Sequence, residues 1–485
     1  MIPSWIGVVV FALGCLLYRR GLYALFGLVL GCSLFGGSAA LFLPALGGSS
    51  IPPNLLALAF LLIRVVQQPG AGAYVVSAAR GNLLLLIFCI YGAIGAFILP
   101  RLFNGAMQVY PMRPPGAGAY LFFTEPLRPT GQNITTSVYM VGALLTAFAA
   151  GAVARLPGAP AKATKLFVNL TVAHCAFGVL VVVLTAAKLT IVLDLVRNAN
   201  YGQLSQQAGA FARISGFFPE ASGFASFGGP LLVLMSECWI RDIDTRRTGF
   251  AALLMAALMM LSTSSSAYVC LAVYGVLFAL RVVLLPGAVG ARKVFAVAGV
   301  AFAAVLAMGA MVVVFPQLSA DFVDVVKDMT VGKAETSSGR QRAFWAQQGL
   351  TAFGVSHGLG IGPGAFRSSS LITAIVGATG VVGVASFLGY LLVVLKPLNK
   401  STYGKLRAPN AIAADFGGAC AVAAIVGLAP DFVGSPTPVP PFLFSILAGF
   451  AVALRGANGS FLQPRAAATA RPGLISPARE PSRGG

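Results

Sequence analysis

Two blocks of the chain combine permanent positive charge with side chains that could act on a substrate. The first block is the segment ARISGFFPEAS, in which Arg213 and Glu220 come directly before an apolar run. A guanidinium is planar and always charged, so it suits phosphate binding, and a neighbouring carboxylate can serve as a general base. We therefore predict that Arg213 binds an anion and that Glu220 is a candidate base. The alternative for Arg213 is an anchor to lipid headgroups.

The second block covers residues 338–388 and surrounds a run of glycines with arginines. Its candidate anion-binding residues are Arg340, Arg342, Arg367, Gly360, Gly362 and Gly364. Glycines at alternate positions let backbone N–H groups approach an anion closely. In a membrane protein the same glycines can instead permit close helix packing, and the sequence leaves both roles open.

The geometry of the two neighbouring arginines depends on where a helix begins. Arg340 and Arg342 precede Trp345 in a segment that the pattern predicts to open a helix. Side chains at positions i and i+2 of a helix point about 200° apart. Either one of the two arginines faces the site, or the helix starts after both. His357, just before the glycines, is the second candidate base, although a lone histidine is more often structural.

Divalent-metal and nucleotide-binding patterns are absent from the sequence. No loop that we assign to the outer face carries a close Asp-Asp, Asp-Glu or Glu-x-His pair in a setting typical of a divalent-metal site, and there is no Walker motif. We therefore expect no metal and no cofactor. Any group transfer must then use a substrate that is already activated.

The composition is that of a polytopic membrane protein. Hydrophobic residues make up 58% of the 485 residues and charged residues only 9%, and the mean hydropathy is +0.87. We predict an all-α fold with 12 to 13 transmembrane helices, because apolar runs of about 17–25 residues can cross a bilayer. The candidate runs lie near residues 3–18, 21–46, 53–66, 82–99, 134–154, 166–187, 222–240, 248–262, 266–285, 294–315, 368–395, 411–429 and 440–455.

The distribution of basic residues predicts the orientation of these helices. If the N-terminus is external, most of the 33 Lys and Arg residues fall on the inner side of the membrane. This agrees with the excess of Lys and Arg that cytoplasmic loops carry. The formal charge of +20 then reflects topology and adhesion to anionic lipids, so we expect no nucleic-acid partner. Three long loops, near residues 100–133, 188–221 and 316–367, face outward, and the last carries short helices, one of them amphipathic at residues 322–329. Residues 1–455 form the membrane domain, and residues 456–485 are a disordered basic cytoplasmic tail.

The two arginine blocks resemble the Wzy-type polymerases and related O-antigen ligases of bacterial cell envelopes. The resemblance rests on Arg213 with GFFPEAS, the arginine segment with Trp345, the glycines at 358–364, Phe366 to Ser369, and the pair Gly380 and Gly383. It implies an inner-membrane glycosyltransferase whose donor and acceptor are glycans linked to undecaprenyl pyrophosphate, acting at the periplasmic face. It also implies that a chain-length co-polymerase and export machinery are partners of this protein. The arginines would bind pyrophosphate, with Glu220 or His357 as the base.

Three other functions remain open. Ligases of this superfamily carry a histidine shortly after the glycines, where this chain has Arg367 followed by three serines. This departure favours a polymerase over a ligase that transfers glycan to lipid A-core. A transporter or flippase of lipid-linked glycans would place charges in the membrane interior, and the centres of the apolar runs are almost uncharged. A structural scaffold would leave the outward arginines unexplained.

Overall fold

The computed structural model describes residues 1–44, 49–113, 122–199, 207–208, 211–317, 320, 323, 327, 336–395 and 411–455. Sixteen helices occur among these residues. The helices are α1 (Trp5–Tyr18), α2 (Leu22–Ser33), α3 (Pro53–Val66), α4 (Ala71–Gly81), α5 (Leu83–Leu102), α6 (Gly131–Ala154), α7 (Ala159–Ala186), α8 (Thr190–Val196), α9 (Ala221–Ile240), α10 (Thr245–Leu261), α11 (Ser265–Leu284), α12 (Ala291–Val314), α13 (Ser337–Val355), α14 (Leu371–Leu395), α15 (Ala411–Val426) and α16 (Phe442–Arg455).

Seven of the described helices are long and apolar enough to cross a membrane: α5, α6, α7, α9, α11, α12 and α14. Five shorter apolar helices accompany them, namely α1, α2, α3, α15 and α16. The chain is therefore a mostly helical, multi-pass membrane protein. Each of the thirteen predicted runs overlaps a described helix, although several of these helices are shorter than a full span. The predicted amphipathic helix at residues 322–329 lies almost entirely outside the described residues, and the tail at 456–485 lies wholly outside them.

The second predicted span, residues 21–46, is wrong in its C-terminal half. Helix α2 ends at Ser33, and residues 41–43 form a strand. Near the break, the N–H of Gly37 donates to the carbonyl oxygen of Phe217 at 2.8 Å. A β-carbon on Gly37 would lie 2.8 Å from the same oxygen. The chain therefore leaves its helical path to pack against the segment that precedes α9.

The all-α prediction also missed short antiparallel strands. Strands β1 (Ile2–Pro3), β2 (Leu41–Leu43) and β3 (Ser49–Ile51) form one sheet, and β4 (Gln108–Val109) pairs with β5 (Glu125–Pro126). Strands β6 (Gln207–Ala208) and β7 (Phe211–Ala212) form the last pair. In the β1–β2–β3 sheet, Leu41 is the partner of Ile51 and Phe42 of Ser50. The sheets join segments between helices, so the predicted loops contain regular structure.

The core lies where α6, α9, α15 and α16 pack together with α2 and α7. Gly449 of α16 lies against the backbone of α6, where an added β-carbon would be 3.1 Å from the Cα of Ala147. The absence of a side chain lets the two helices approach closely. Phe26, Phe167 and Phe450 fill the space beside this crossing with ring centroids 5.7–6.3 Å apart. In contrast to these core helices, α12 has no buried residue.

Candidate active site

A cavity of about 530 Å³ opens where α9, α11 and α13 begin and where the segments before α14 and after α15 meet. Its charged lining residues are Arg213, Glu220, Arg342 and Arg367. Tyr110 and Trp345 line one side, and serines from four segments line much of the rest. Four predicted site residues from both sequence blocks therefore meet in one cavity.

Arg213 lies in the segment before α9, and its side chain is largely buried. Its Nη2 donates to the carbonyl oxygen of Thr263 at 3.3 Å. Its Nε is buried and has no hydrogen-bond partner among the described residues. Burial lowers the pKa of Arg213, and the nearby carboxylate of Glu220 opposes that shift. Arginine nevertheless stays protonated in proteins, so a buried cation with spare donor capacity lines the cavity.

Glu220 is the N-cap residue of α9, with extended backbone angles. The hydroxyl of Ser222 donates to its Oε2 at 3.0 Å, and the helix N-terminus favours negative charge at this position. The ion pairs within 4.0 Å that the described residues form do not include Glu220 or any cavity arginine. Among the described residues, no carboxylate pairs directly with the cavity arginines, and Glu220 lies beside them in the same cavity.

The start of helix α13 determines which of Arg340 and Arg342 lines the cavity. It begins at Ser337, where the Thr336 side chain caps it by accepting from the N–H of Gly339 at 3.0 Å. Both arginines are therefore helical and point in different directions. Arg342 lines the cavity and its Nη1 donates to the carbonyl oxygen of Val433 at 2.9 Å, whereas Arg340 is exposed and does not line it. The first of the two predicted alternatives is the one observed.

Arg367 is positioned by a contact between its side chain and Trp345 and by a hydrogen bond from its backbone N–H. Its guanidinium lies over the ring of Trp345, 4.6 Å from the centroid, and its N–H donates to the carbonyl oxygen of Tyr110 at 2.9 Å. Burial lowers the pKa of Arg367, while Glu220 and Tyr110 raise it. The Nε of Arg367 and the Nε1 of Trp345 are both buried without a partner among the described residues. Both residues line the cavity, although these two N–H groups are themselves shielded from solvent.

His357 and the predicted glycines do not line this cavity. His357 is exposed in the turn after α13, with φ of +50°. The N–H of Gly360 donates to the hydroxyl of Ser356 at 2.8 Å, and that of Gly362 to the carbonyl of Ala378 at 3.1 Å. Both groups are therefore already bonded within the protein, which favours the packing role for these glycines.

The last glycine of the run lies beside a different cavity. Gly364 has φ of +82°, and a β-carbon there would lie 2.5 Å from the carbonyl oxygen of Gln132. It lines a second cavity of about 220 Å³ together with Arg113 and Arg128. Arg128 is paired with Glu125 at 2.9 Å, so this cavity is less open to an anion than the first.

Comparison with known proteins identifies no relative. No family model, no curated protein and no solved structure matches the chain. Within the described part of the chain, no group of three or more His, Cys, Asp or Glu side chains could hold a metal ion.

Tyr110 is a lining residue that the sequence did not single out. It comes just after β4, and its ring centroid lies 5.2 Å from that of Trp345. Its N–H donates to the Oε1 of Gln348 on α13 at 3.3 Å. Its only sequence signal is an aromatic residue in a polar loop, which is too common to identify a site. Its place beside Trp345 depends on contacts across more than 200 residues of chain.

Proposed function

We propose that this protein is a Wzy-type membrane glycosyltransferase that polymerises glycan repeat units linked to undecaprenyl pyrophosphate. The observation that carries the proposal is the cavity in which Arg213, Arg342 and Arg367 converge beside Glu220. Three guanidinium groups and one carboxylate give a formal charge of 3 − 1 = +2. A pyrophosphate that is esterified on both sides carries two negative charges, so this balance suits such a group.

The proposed reaction exchanges one bond at the anomeric carbon of the donor. The acceptor hydroxyl oxygen forms a bond to that carbon, and the bond from the carbon to the pyrophosphate oxygen breaks. Glu220 accepts the proton of the hydroxyl, and undecaprenyl pyrophosphate leaves with the electron pair of the broken bond. The arginines stabilise the charge that develops on the leaving oxygen, which is the role of positioned cations in group transfer.

The position of the carboxylate supports Glu220 rather than His357 as the base. A base must reach the proton it removes, directly or through one water. Glu220 lines the same cavity as the arginines, whereas His357 is exposed outside it. The arginines supply the positive charge that the leaving group needs, so the proposed transfer requires no added metal.

The orientation and partners are part of the same proposal. The cavity would face the periplasm of a bacterial inner membrane, with the basic loops on the cytoplasmic side. Exopolysaccharide or O-antigen would be the product, and a chain-length co-polymerase and export machinery would act with the enzyme. Membrane lipids would surround helices such as α12, whose residues are all unburied.

The test is to incubate the purified protein, without added metal, with an undecaprenyl-pyrophosphate repeat unit and separately with that donor plus lipid A-core. We expect a ladder of lipid-linked oligomers from the repeat unit alone. Product that forms only with lipid A-core would instead identify a ligase. Binding of the native substrate with no covalent product in either mixture would overturn the enzymatic proposal and favour a transporter.

A further inference from the structure

A second carboxyl group lies buried close to the cavity. Asp431 belongs to the segment 427–441 between α15 and α16 and is only 8% exposed. Ser226 of α9 forms a hydrogen bond with its carboxyl. The other oxygen, Oδ2, is buried and has no hydrogen-bond partner among the described residues. Burying a negative charge on an oxygen that accepts no hydrogen bond is unfavourable, and the protonated, neutral carboxyl costs less free energy to bury.

The backbone around Asp431 connects this segment to α14. The carbonyl oxygen of Asp431 accepts from the N–H of Leu371, the first residue of α14, at 3.0 Å and from the N–H of Ser435 at 3.1 Å. Further along, the N–H of Ser368 donates to the carbonyl oxygen of Pro436 at 3.1 Å. Segment 427–441 is thus fastened to the residues that follow Arg367.

The same segment holds an arginine of the cavity. The carbonyl oxygen of Val433, two residues after Asp431, accepts from Nη1 of Arg342 at 2.9 Å. Gly434 and Pro436 line the cavity itself. A shift of this segment would therefore displace the partner of Arg342 and change one wall of the cavity.

We propose that Asp431 is a positioning residue whose protonated carboxyl holds segment 427–441 against α9 and α14, and whose ionisation loosens that segment and the wall of the arginine cavity. The inference goes beyond the proposed function. It concerns how the cavity is held together, and it would stand if the cavity bound another anion.

The protonation state follows from burial. Burial raises the pKa of Asp431 from 3.8 to about 7, and the hydrogen bond from Ser226 opposes the shift. In the loosened state the carboxyl meets water and regains its ordinary pKa. Between those two pKa values the carboxyl keeps its proton while segment 427–441 is held in place and releases it when the segment loosens. The equilibrium therefore shifts away from the held state roughly tenfold per pH unit. Above about 7 both states are ionised, and the dependence levels off.

Other charged and titratable groups lie on the elements packed around this segment. They are Glu220 before α9, Tyr268 and Cys270 on α11, Arg342 on α13 and Arg367 before α14. On α15, Asp415 and Cys420 interact instead with Arg241, at the far end of α9. The pKa shift of Asp431 arises from burial and Ser226 rather than from these charges. Variants of Asp431 and Ser226 therefore isolate its contribution.

The test measures amide hydrogen exchange of the full-length protein in lipid nanodiscs between pH 5 and pH 7, without any ligand. Protection factors are compared for peptides that cover the start of α14 and segment 427–441. In the wild type we expect protection to fall about fiftyfold between pH 5 and pH 7, because the dependence already flattens as the pH approaches the raised pKa of about 7. In Asp431→Asn, which keeps the shape but cannot ionise, protection should stay at the low-pH level throughout.

Two further variants complete the test. Ser226→Ala removes the donor that lowers the pKa of Asp431, so the fall in protection should extend to higher pH than in the wild type. Asp415→Asn is the matched control at the other end of α15, and its curve should equal that of the wild type. A flat wild-type curve, an equal slope in Asp431→Asn, or an unshifted Ser226→Ala curve would each overturn the inference. No substrate is used, so the result is independent of the proposed polymerase activity.

Discussion

Helix α13 offers a matched pair of substitutions, because it presents one arginine to the cavity and another to solvent. Arg342→Gln removes a cation that lines the cavity. Arg340→Gln makes the same chemical change two residues earlier, at an exposed position that does not line it. The two variants have the same net charge, and both substitutions lie in the same helix. Any difference between them therefore reports on position rather than on charge in general.

The expected magnitudes differ by at least several-fold. A hydrogen bond to a charged group contributes roughly 1.5–3 kcal/mol. Loss of the Arg342 contact should therefore raise the Kd for a pyrophosphate-linked lipid by about 10- to 150-fold. For Arg340, the attraction between unit charges one Debye length apart in water is about 0.5 kcal/mol before screening. Its loss should raise the Kd by less than about twofold.

Trp345 lines the cavity, so its intrinsic fluorescence can report binding directly. Each variant would be titrated with undecaprenyl pyrophosphate in detergent micelles at physiological ionic strength. The thermal unfolding midpoint of each variant serves as the control for folding, since Arg342 also bonds to Val433. Equal losses of affinity in both variants would refute the reasoning, because the effect would then be a general one of surface charge. Wild-type affinity in a folded Arg342→Gln protein would refute it as well.

Three further predictions address the base, the aromatic contact and the glycines. Glu220→Gln should lower the turnover rate by about 10²- to 10⁴-fold with undiminished lipid binding, since it removes negative charge from a cationic cavity; a retained rate would exclude Glu220 as the base. Arg367→Lys keeps the charge but loses the planar contact with Trp345, so the Kd should rise by about 2- to 30-fold, and an unchanged Kd would contradict this. Gly360→Ala should destabilise the fold by more than the roughly 1–2 kcal/mol cost of its φ of +84°, because a carbonyl oxygen of Ala378 blocks the new methyl group at 2.5 Å. The control Gly354→Ala, where nothing lies within 4 Å, should stabilise α13 by about 1 kcal/mol in thermal unfolding, and equal effects of the two would refute the packing argument.

The helices could be predicted from sequence because a membrane span requires a continuous apolar run. Breaks within such runs were harder to predict, as residues 21–46 illustrate. Helix α2 ends at Ser33, and Gly37 then bonds to Phe217, 180 residues away in the chain. Hydropathy carries no information about such a distant partner. The pairing of β2 with β3 is local in sequence, and it was missed because Leu41–Leu43 continues the apolar run that begins with α2.

The charged residues of the site could be predicted because permanent cations and carboxylates beside apolar runs are conspicuous. Arg213, Glu220 and Arg367 needed only their residue types and their position at the ends of helices. The choice of Arg342 over Arg340 needed the helix start at Ser337, which hydropathy alone could not give. His357 was predicted from proximity in sequence, and the left-handed turn after α13 leaves it outside the cavity.

We propose that the arginine cavity binds the pyrophosphate of a lipid-linked glycan. The most direct measurement is a cryo-EM map of the Glu220→Gln protein in nanodiscs with an undecaprenyl-pyrophosphate repeat unit. We predict phosphate density within hydrogen-bond distance of Arg213, Arg342 and Arg367, with the first sugar beside residue 220. Phosphate density at the second cavity, beside Arg128, with the arginine cavity empty, would contradict the account.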